Sequence, residues 1–418
     1  MRILICYPWL DLGGASNTAI TVAKGVKERG HDVVFFTKTG GMYEERLKKL
    51  DIPVISAPSH KFLPLMYHLN LKAYRLFCDT LDRYSIDLIH TFHYNHYYLS
   101  LFAAAKRDIP VVFSAVWYMQ ETPFPEYPGR VTFVAREFLD KARNTIGKHS
   151  REMTVLPNRI DLGMFHPDID HTDFSRRFDL PDSGWKIVFM SRVDSLKFGS
   201  LSHAIEAIRL VALKGNRVTL VIAGDGSYFG DLKFRAEKVN EEIGHEVIKL
   251  IGAVLETPEL LSWADIVFGI GRCAWEGMAC GKPVFVVGEN GFAGMAAPEN
   301  VDELQYYNFA GRNIREPVDP GLLADRVEKI MGSEETYNKL AQFSTKYVME
   351  NYDYRAGAVK FEQIYEKAIN DPPLNMYERV RLYFSNFIYG YCRQVYLAWR
   401  VKLRGYIGRG RNDDKIIH

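Results

Sequence analysis

The sequence predicts an α/β protein: two Rossmann-like, doubly wound units facing a cleft, followed by a C-terminal amphipathic helical extension. Three observations predict it. The 418 residues exceed what a single hydrophobic core ordinarily supports. Short β-rich runs alternate with helix-length stretches, and the alternation restarts after residue 184. The chain also opens as strand, glycine-rich turn, helix and strand, with Ile20, Ala23 and Val26 on one helical face and Gly30 placed for a left-handed C-cap.

In the first half, runs at 3–6, 33–36, 54–55, 88–89, 111–113 and 132–134 read as buried parallel strands. In the second half, 187–190, 218–223, 247–251, 266–267 and 284–287 read the same way. Between the halves the chain is rich in Pro, Asp and Gly. The expected organisation is a Rossmann-like domain at 1–166, a linker at 167–184, a second Rossmann-like domain at 185–350, a returning helix at 351–373 and an extension at 374–418.

Composition narrows the class. Hydrophobic residues at 47% and charged residues at 25% exclude disorder and fibrous repeats. A formal net charge of +2 provides no global field for nucleic acid, which is not an expected partner. The cysteines (Cys6, Cys78, Cys273, Cys280, Cys392) are odd in number and form no CxxC pair, so neither a zinc cluster nor a disulfide scaffold is expected. The apolar start is cut short by Pro8 and Gly13-Gly14, and no run reaches membrane-spanning length, so the expected location is cytoplasmic.

The chemistry concentrates in the second half. After the strand at 266–267, Gly269-Ile270-Gly271 forms a turn, a short helix opens near Arg272, and Gly281 closes it. Amides at such a helix start suit an anion, and Glu276, one turn in, suits the vicinal hydroxyls of a ribose. An ordinary βα turn with a solvated glutamate is the plainer alternative. Upstream, Ser191-Arg192-Val193-Asp194-Ser195-Leu196-Lys197 links a strand to a helix. There a planar Arg192 and a mobile Lys197 can grip a diphosphate, or stand as solvated surface cations. Gly224-Asp225-Gly226 reads as a tight turn whose glycines serve backbone geometry.

Taken in order, Gly13-Gly14, Pro157-Asn158 with Asp161, Arg192 with Lys197, Gly224-Asp225-Gly226, and Glu276-Gly277-Met278-Ala279-Cys280-Gly281-Lys282-Pro283 resemble the retaining glycosyltransferases of family 4 (glycosyl transferases group 1) over residues 1 to about 370. The resemblance implies a GT-B fold and transfer of a sugar from a UDP- or GDP-linked donor to a glycan or lipid-linked acceptor. It implies no further cofactor and no metal. By that likeness Arg192 and Lys197 neutralise the leaving diphosphate, Glu276 binds the ribose, Gly224, Gly269, Gly271 and Arg272 line the nucleotide site, and Gly13 and Gly14 approach the phosphates.

The chain departs from the family twice. The family pairs two glutamates eight positions apart, and counting back from Glu276 reaches Phe268. Arg272 and Glu289 are the candidates to take over contact with the donor sugar. Where many relatives carry a histidine after the strand at 111–113, this chain has Ser114-Ala115-Val116-Trp117. His90, His93 and Glu121 are then the acceptor-side candidates, with His96 the third of an evenly spaced histidine set that lacks the Cys, Asp or Glu to complete a metal site. Asp168-Ile169-Asp170 falls in the expected linker and reads as solvated. The departures leave two other readings open, a sugar-nucleotide or glycan-binding protein and a GT-B-fold sugar-nucleotide epimerase.

Residues 374–411 carry eight Lys or Arg against Glu378 alone. At helical spacing Val380, Phe384, Phe387, Ile388, Tyr391, Val395, Ala398 and Trp399 share an arc of about 120°, with Arg393, Arg400 and Arg404 opposite. Such a face suits an anionic membrane surface, giving a peripheral location, or packs back on the protein.

Overall fold

A computed structural model describes residues 1–11, 13–38, 41–57, 71–116, 129–145, 152–378, 380 and 384. The described residues divide into two units, Met1–Arg159 together with those from Tyr354 on, and Ile160–Asp353. In the first unit β1 (Arg2–Cys6), α1 (Gly14–Glu28), β2 (Asp32–Thr37), α2 (Glu44–Lys49), β3 (Val54–Ser56), α3 (Leu71–Arg83), β4 (Leu88–Thr91), α4 (Tyr94–Ala105), β5 (Val111–Ala115), β6 (Arg130–Phe133), α5 (Arg136–Thr145) and β7 (Glu152–Val155) follow in order. The second unit contains α6 (Thr172–Arg177), β8 (Trp185–Met190), α7 (Phe198–Leu213), β9 (Val218–Ala223), α8 (Phe229–Ile243), β10 (Ile248–Gly252), α9 (Thr257–Trp263) and β11 (Ile266–Gly269). It continues with α10 (Arg272–Ala279), β12 (Val284–Gly288), β13 (Gly291–Met295), α11 (Val301–Tyr306), α12 (Pro320–Met331) and α13 (Glu334–Asn351), and α14 (Tyr354–Ile369) returns to the first unit.

The first sheet is parallel throughout, in the order β3-β2-β1-β4-β5-β6-β7. Its strands are apolar on both faces because helices cover both. Ile3 and Ile5 enter one core cluster, and Leu4 and Cys6 the other. Helix α14 lies so close to α1 that a Cβ on Gly25 would fall 2.9 Å from that of Ala358. The second sheet runs β10-β9-β8-β11-β12-β13, with Ile187 and Phe189 on one face and Val188 and Met190 on the other. In both sheets the order reverses beside the first strand, between β1 and β4 and between β8 and β11. Loops at the carboxyl ends of those strands therefore splay apart and leave room for a ligand.

Two strands escape the sequence pattern. β7 is a half-buried edge strand that opens on Glu152, which is paired with Arg130. β13 runs antiparallel to β12 and contains Gly291 and Gly294, both at positive φ, so it lacks the β-branched signature of a strand. The segment 167–184 is no free linker. It holds α6, and Phe174 and Leu180 are buried in the second unit's core along with Ile160 and Phe165. The ends of that unit meet, with the Ile160 N–H donating to the Tyr352 carbonyl at 2.9 Å and Ile160 bridging to Asp353.

Candidate functional site

The β8–α7 loop at the second sheet's reversal point is pinned from below. Val193 is wholly buried, its N–H donates to the Asp225 carbonyl (3.0 Å), and its carbonyl accepts from Tyr228 (2.9 Å). Gly224 and Gly226 are what allow this. A Cβ on Gly224 would lie 1.8 Å from the Ser191 carbonyl oxygen, and one on Gly226 would lie 2.4 Å from that of Val193. The Gly224-Asp225-Gly226 turn is thus the bed on which the cationic loop rests. Asp194 shapes the other side, its Oδ1 accepting from the amides of Leu196 (3.0 Å) and Lys197 (3.1 Å).

With the loop fixed, Arg192 stands exposed, 3.5 Å from Asp194, while Lys197 is half-buried at the start of α7. Burial lowers the Lys197 ammonium from its ordinary value, Arg192 and Arg312 push the same way, and Asp194 and Glu289 oppose them. Four charged groups from three separate loops therefore act on Lys197.

The β11–α10 junction lies on the other side of the reversal point. Gly271 takes φ +55° to turn the chain, and α10 begins at the next residue. Gly277 lets the helix lie on β11, since a Cβ there would fall 2.9 Å from Val267. The carboxylate of Glu276 accepts from Arg272 Nε at 2.6 Å, one turn apart, with both side chains at least nine-tenths buried. Between them, burial pushes the Cys273 thiol to about 12, Glu276 adds to the rise, and the charges of Arg272 and Lys197 oppose it. Lys197 thus acts on the start of α10, which ties the two loops into one site.

The residue eight positions before Glu276 belongs to the strand. Phe268 lies within β11, 0% exposed, meeting Phe189 and Phe285 edge-on at 6.4 and 5.8 Å. No side chain there could reach a ligand beyond the strand ends. The β11–α10 connection is Ile270-Gly271 alone, so the family's first glutamate has no loop to stand on. Glu289 is exposed in the turn between β12 and β13, and its carbonyl lies 3.0 Å from where a Cβ on Gly199 of α7 would be. Sequence reading missed the Asn308–Arg312 turn, whose Phe309 carbonyl accepts from the Gly271 N–H at 2.7 Å. The available signal was Gly311 followed by a cation, which is too common to mark a site.

In the first unit the acceptor-side candidates separate. His90 lies in mid-strand in β4, wholly buried, with Nδ1 2.6 Å from the Tyr365 hydroxyl and Nε2 2.8 Å from the Ser114 hydroxyl, which is itself 2.6 Å from that of Thr132. Burial lowers the His90 imidazole to about 3. It is a core residue joining α14 to the sheet, which corrects its reading as an acceptor contact. His93 lies at the carboxyl end of β4 between Tyr7 (6.2 Å) and Trp9 (5.0 Å), while His96 meets the edge of Phe36 at 5.7 Å. Among the described residues no group of three or more His, Cys, Asp or Glu could hold a metal.

Gly13 is extended (φ 170°), and a Cβ on Gly14 would meet nothing within 4 Å among the described residues. Asp168 and Asp170 are exposed, Asp170 capping Thr172 at 2.9 Å. Glu121 and most of 374–411 lie outside the described residues. Among those described, no helix is long and apolar enough to cross a membrane.

A family model for Glycosyltransferase Family 4 matches residues 12–163, and one for Glycosyl transferases group 1 matches residues 170–347. The chain is 26% identical over 317 residues to an alpha-monoglucosyldiacylglycerol synthase of Streptococcus pneumoniae, covering 66% of this chain and 68% of that protein. A glycosyltransferase from Rickettsia africae superposes with a TM-score of 0.69 at 20% identity, covering 89% of this chain and 99% of that one. HepE of Anabaena, solved with UDP and glucose, superposes with a TM-score of 0.67 at 16% identity, covering 88% of this chain and 100% of that one. These structural likenesses establish the GT-B fold. Matched on both units, the chain belongs to the glycosyl transferases group 1 family.

Proposed function

We propose that the protein transfers a sugar, with retention of anomeric configuration and without a metal ion, from a nucleotide-sugar donor to a lipid-linked or glycan acceptor. The observation that carries this reading is the cationic cluster at the second sheet's reversal point. The Lys197 ammonium, held down by burial and by two neighbouring guanidinium groups, is relieved when an anion enters. A leaving nucleoside diphosphate is such an anion. Arg192 supplies a planar fork and Lys197 a point charge, both carried on a loop whose backbone is fixed before the anion develops. Glu276, held by Arg272, would accept from the ribose hydroxyls. With the β11–α10 connection so short, the reading assigns contact with the donor sugar to Glu289, exposed in the turn between β12 and β13. Departure of the diphosphate through an oxocarbenium-like state lets the acceptor hydroxyl attack from the same face.

The relative in Streptococcus pneumoniae is named for an α-glucoside of diacylglycerol, and Anabaena HepE was solved with UDP-glucose. The first favours a lipid acceptor here and the second a UDP-linked donor. Met376, Tyr377 and Phe384, at the start of the basic extension, are 81%, 71% and 64% exposed, which suits contact with an anionic membrane surface.

The test is a product assay with UDP- and GDP-sugars, with and without diacylglycerol in anionic vesicles. Acceptor-dependent nucleoside diphosphate release, unaffected by a chelator and reduced at least about 10-fold by Arg192→Ala or Lys197→Ala with unfolding unchanged, supports the proposal. Release or epimerisation without acceptor, or tight binding without turnover, refutes it.

A further inference from the structure

The turn between β12 and β13 carries Glu289, and α7 holds it at both ends. At one end the Glu289 carbonyl oxygen lies 3.0 Å from where a Cβ on Gly199 would stand, so the missing side chain lets the turn seat on the start of the helix. At the other end, one helical turn further along the same face of α7, the His203 ring packs on Gly291. A Cβ on Gly291 would fall 2.4 Å from the ring's Cε1, and φ there is +107°, so only glycine fits the contact.

His203 also closes a hydrogen bond that the sheet leaves open. β13 is the last strand of its sheet, so the groups on its outer side have no further strand to meet. The Phe292 N–H donates to His203 Nε2 at 3.2 Å, and the Ala293 carbonyl accepts from Asn313 Nδ2 at 2.8 Å. An imidazole that accepts at Nε2 is neutral and carries its proton on Nδ1. Burial favours that form, lowering the ring from its ordinary value against the pull of Asp319. The far side of the turn is fixed by Asn290, whose Nδ2 donates to the Ile314 carbonyl (3.0 Å) and whose carbonyl accepts from Val318 (2.9 Å).

The turn therefore has a set place along α7, and Lys197 caps the start of that same helix. One rigid element thus sets the span between the Lys197 and Glu289 backbones. We propose that His203 is a positioning residue for recognition of the donor sugar: by holding the β12–β13 turn on α7, it fixes Glu289 relative to Lys197. The inference rests on the reading that assigns the donor sugar to Glu289.

The full-length protein tests it in the transfer assay above and in calorimetric titration with uridine and guanosine diphosphates. The proteins compared are wild type, His203→Leu, His203→Gln, Gly291→Ala, Glu289→Gln, and His203→Leu combined with Glu289→Gln. Leucine keeps bulk but accepts no hydrogen bond, whereas glutamine offers a carbonyl oxygen to the Phe292 N–H. In His203→Leu, kcat/KM for the nucleotide sugar should fall about 10-fold with diphosphate affinity within about twofold. His203→Gln should recover most of the loss, and adding Glu289→Gln should cost nothing more, because both changes remove one interaction. Gly291→Ala presses a methyl group onto the ring and should show the same split, so it carries the comparison should His203→Leu not fold. Wild-type kinetics in His203→Leu and Gly291→Ala beside a defective Glu289→Gln overturns the inference and leaves the donor reading standing. Losses that add in the combined variant, or that weaken diphosphate as much as nucleotide sugar, would show His203 merely supporting the fold, which also overturns it. If Glu289→Gln matches wild type, or wild type transfers no sugar, the reading beneath the inference falls and takes it along.

Discussion

Replacing Phe268 by glutamate restores the spacing of two glutamates eight positions apart, and it should destroy the second unit rather than improve the site. Phe268 is 0% exposed within a parallel strand, between two other phenylalanines. Losing such a side chain costs about 3–5 kcal/mol, and burying a carboxyl group without a partner adds roughly 1–3 kcal/mol. The sum, roughly 4–8 kcal/mol, is comparable to the whole stability of a typical domain, about 5–15 kcal/mol. The buried acid would also titrate above its unfolded value of about 4.3. Its penalty is therefore smallest below that value and grows as pH rises through the elevated folded value. Urea unfolding followed by circular dichroism at pH 5 and pH 8 reads both effects, with Phe268→Leu as a control costing about 1–2 kcal/mol. A Phe268→Glu protein that unfolds within about 1 kcal/mol of wild type and shows a changed donor preference would refute the reasoning, because the side chain would then have to reach the ligand.

Gly224→Ala forces a Cβ to within 1.8 Å of the Ser191 carbonyl, so it should cost about 2 kcal/mol or more and abolish nucleotide-induced thermal stabilisation. Gly30→Ala, where φ is +86° but nothing lies within 4 Å among the described residues, should cost only about 1 kcal/mol in the same melt. His90 and His96 are held to about 3 by burial, against 6.5 unfolded. The unfolded chain therefore takes up protons first, and stability should fall from pH 6.5 toward pH 3 by up to about 1.4 kcal/mol per pH unit for each ring. His90→Gln should flatten that slope in acid unfolding curves, and an unchanged slope would count against its burial. Cys273, pushed to about 12, should resist maleimide at pH 8 until the protein unfolds, as mass spectrometry of the labelled peptide would show.

The two-unit architecture was legible because alternating apolar runs and helical faces are local signals. The loop carrying Arg192 and Lys197 and the turn before Arg272 were legible for the same reason, since strand, turn and helix start lie within a dozen residues. What stayed hidden depends on contacts distant in sequence. His90 looks like a polar residue at a strand end, yet Tyr365, 275 residues later, closes over it. Phe268 sat at a meaningful interval from Glu276 only if position 268 lay in the loop, and strand β11 runs through it to Gly269 instead. The Asn308–Arg312 turn reaches the β11–α10 junction through the Phe309 carbonyl, and neither Phe309 nor Gly271 signals that contact alone.

The meeting of Ile160 with Tyr352 and Asp353 has a consequence for how the chain can be taken apart. The second unit leaves the main chain and rejoins it at a single seam, so it is an insertion spliced into a host fold. Residues 160–353 are expected to fold as a freestanding polypeptide and to tolerate relocated termini, with a short linker sewing the old ends together. The second unit can then be handled as a module in its own right.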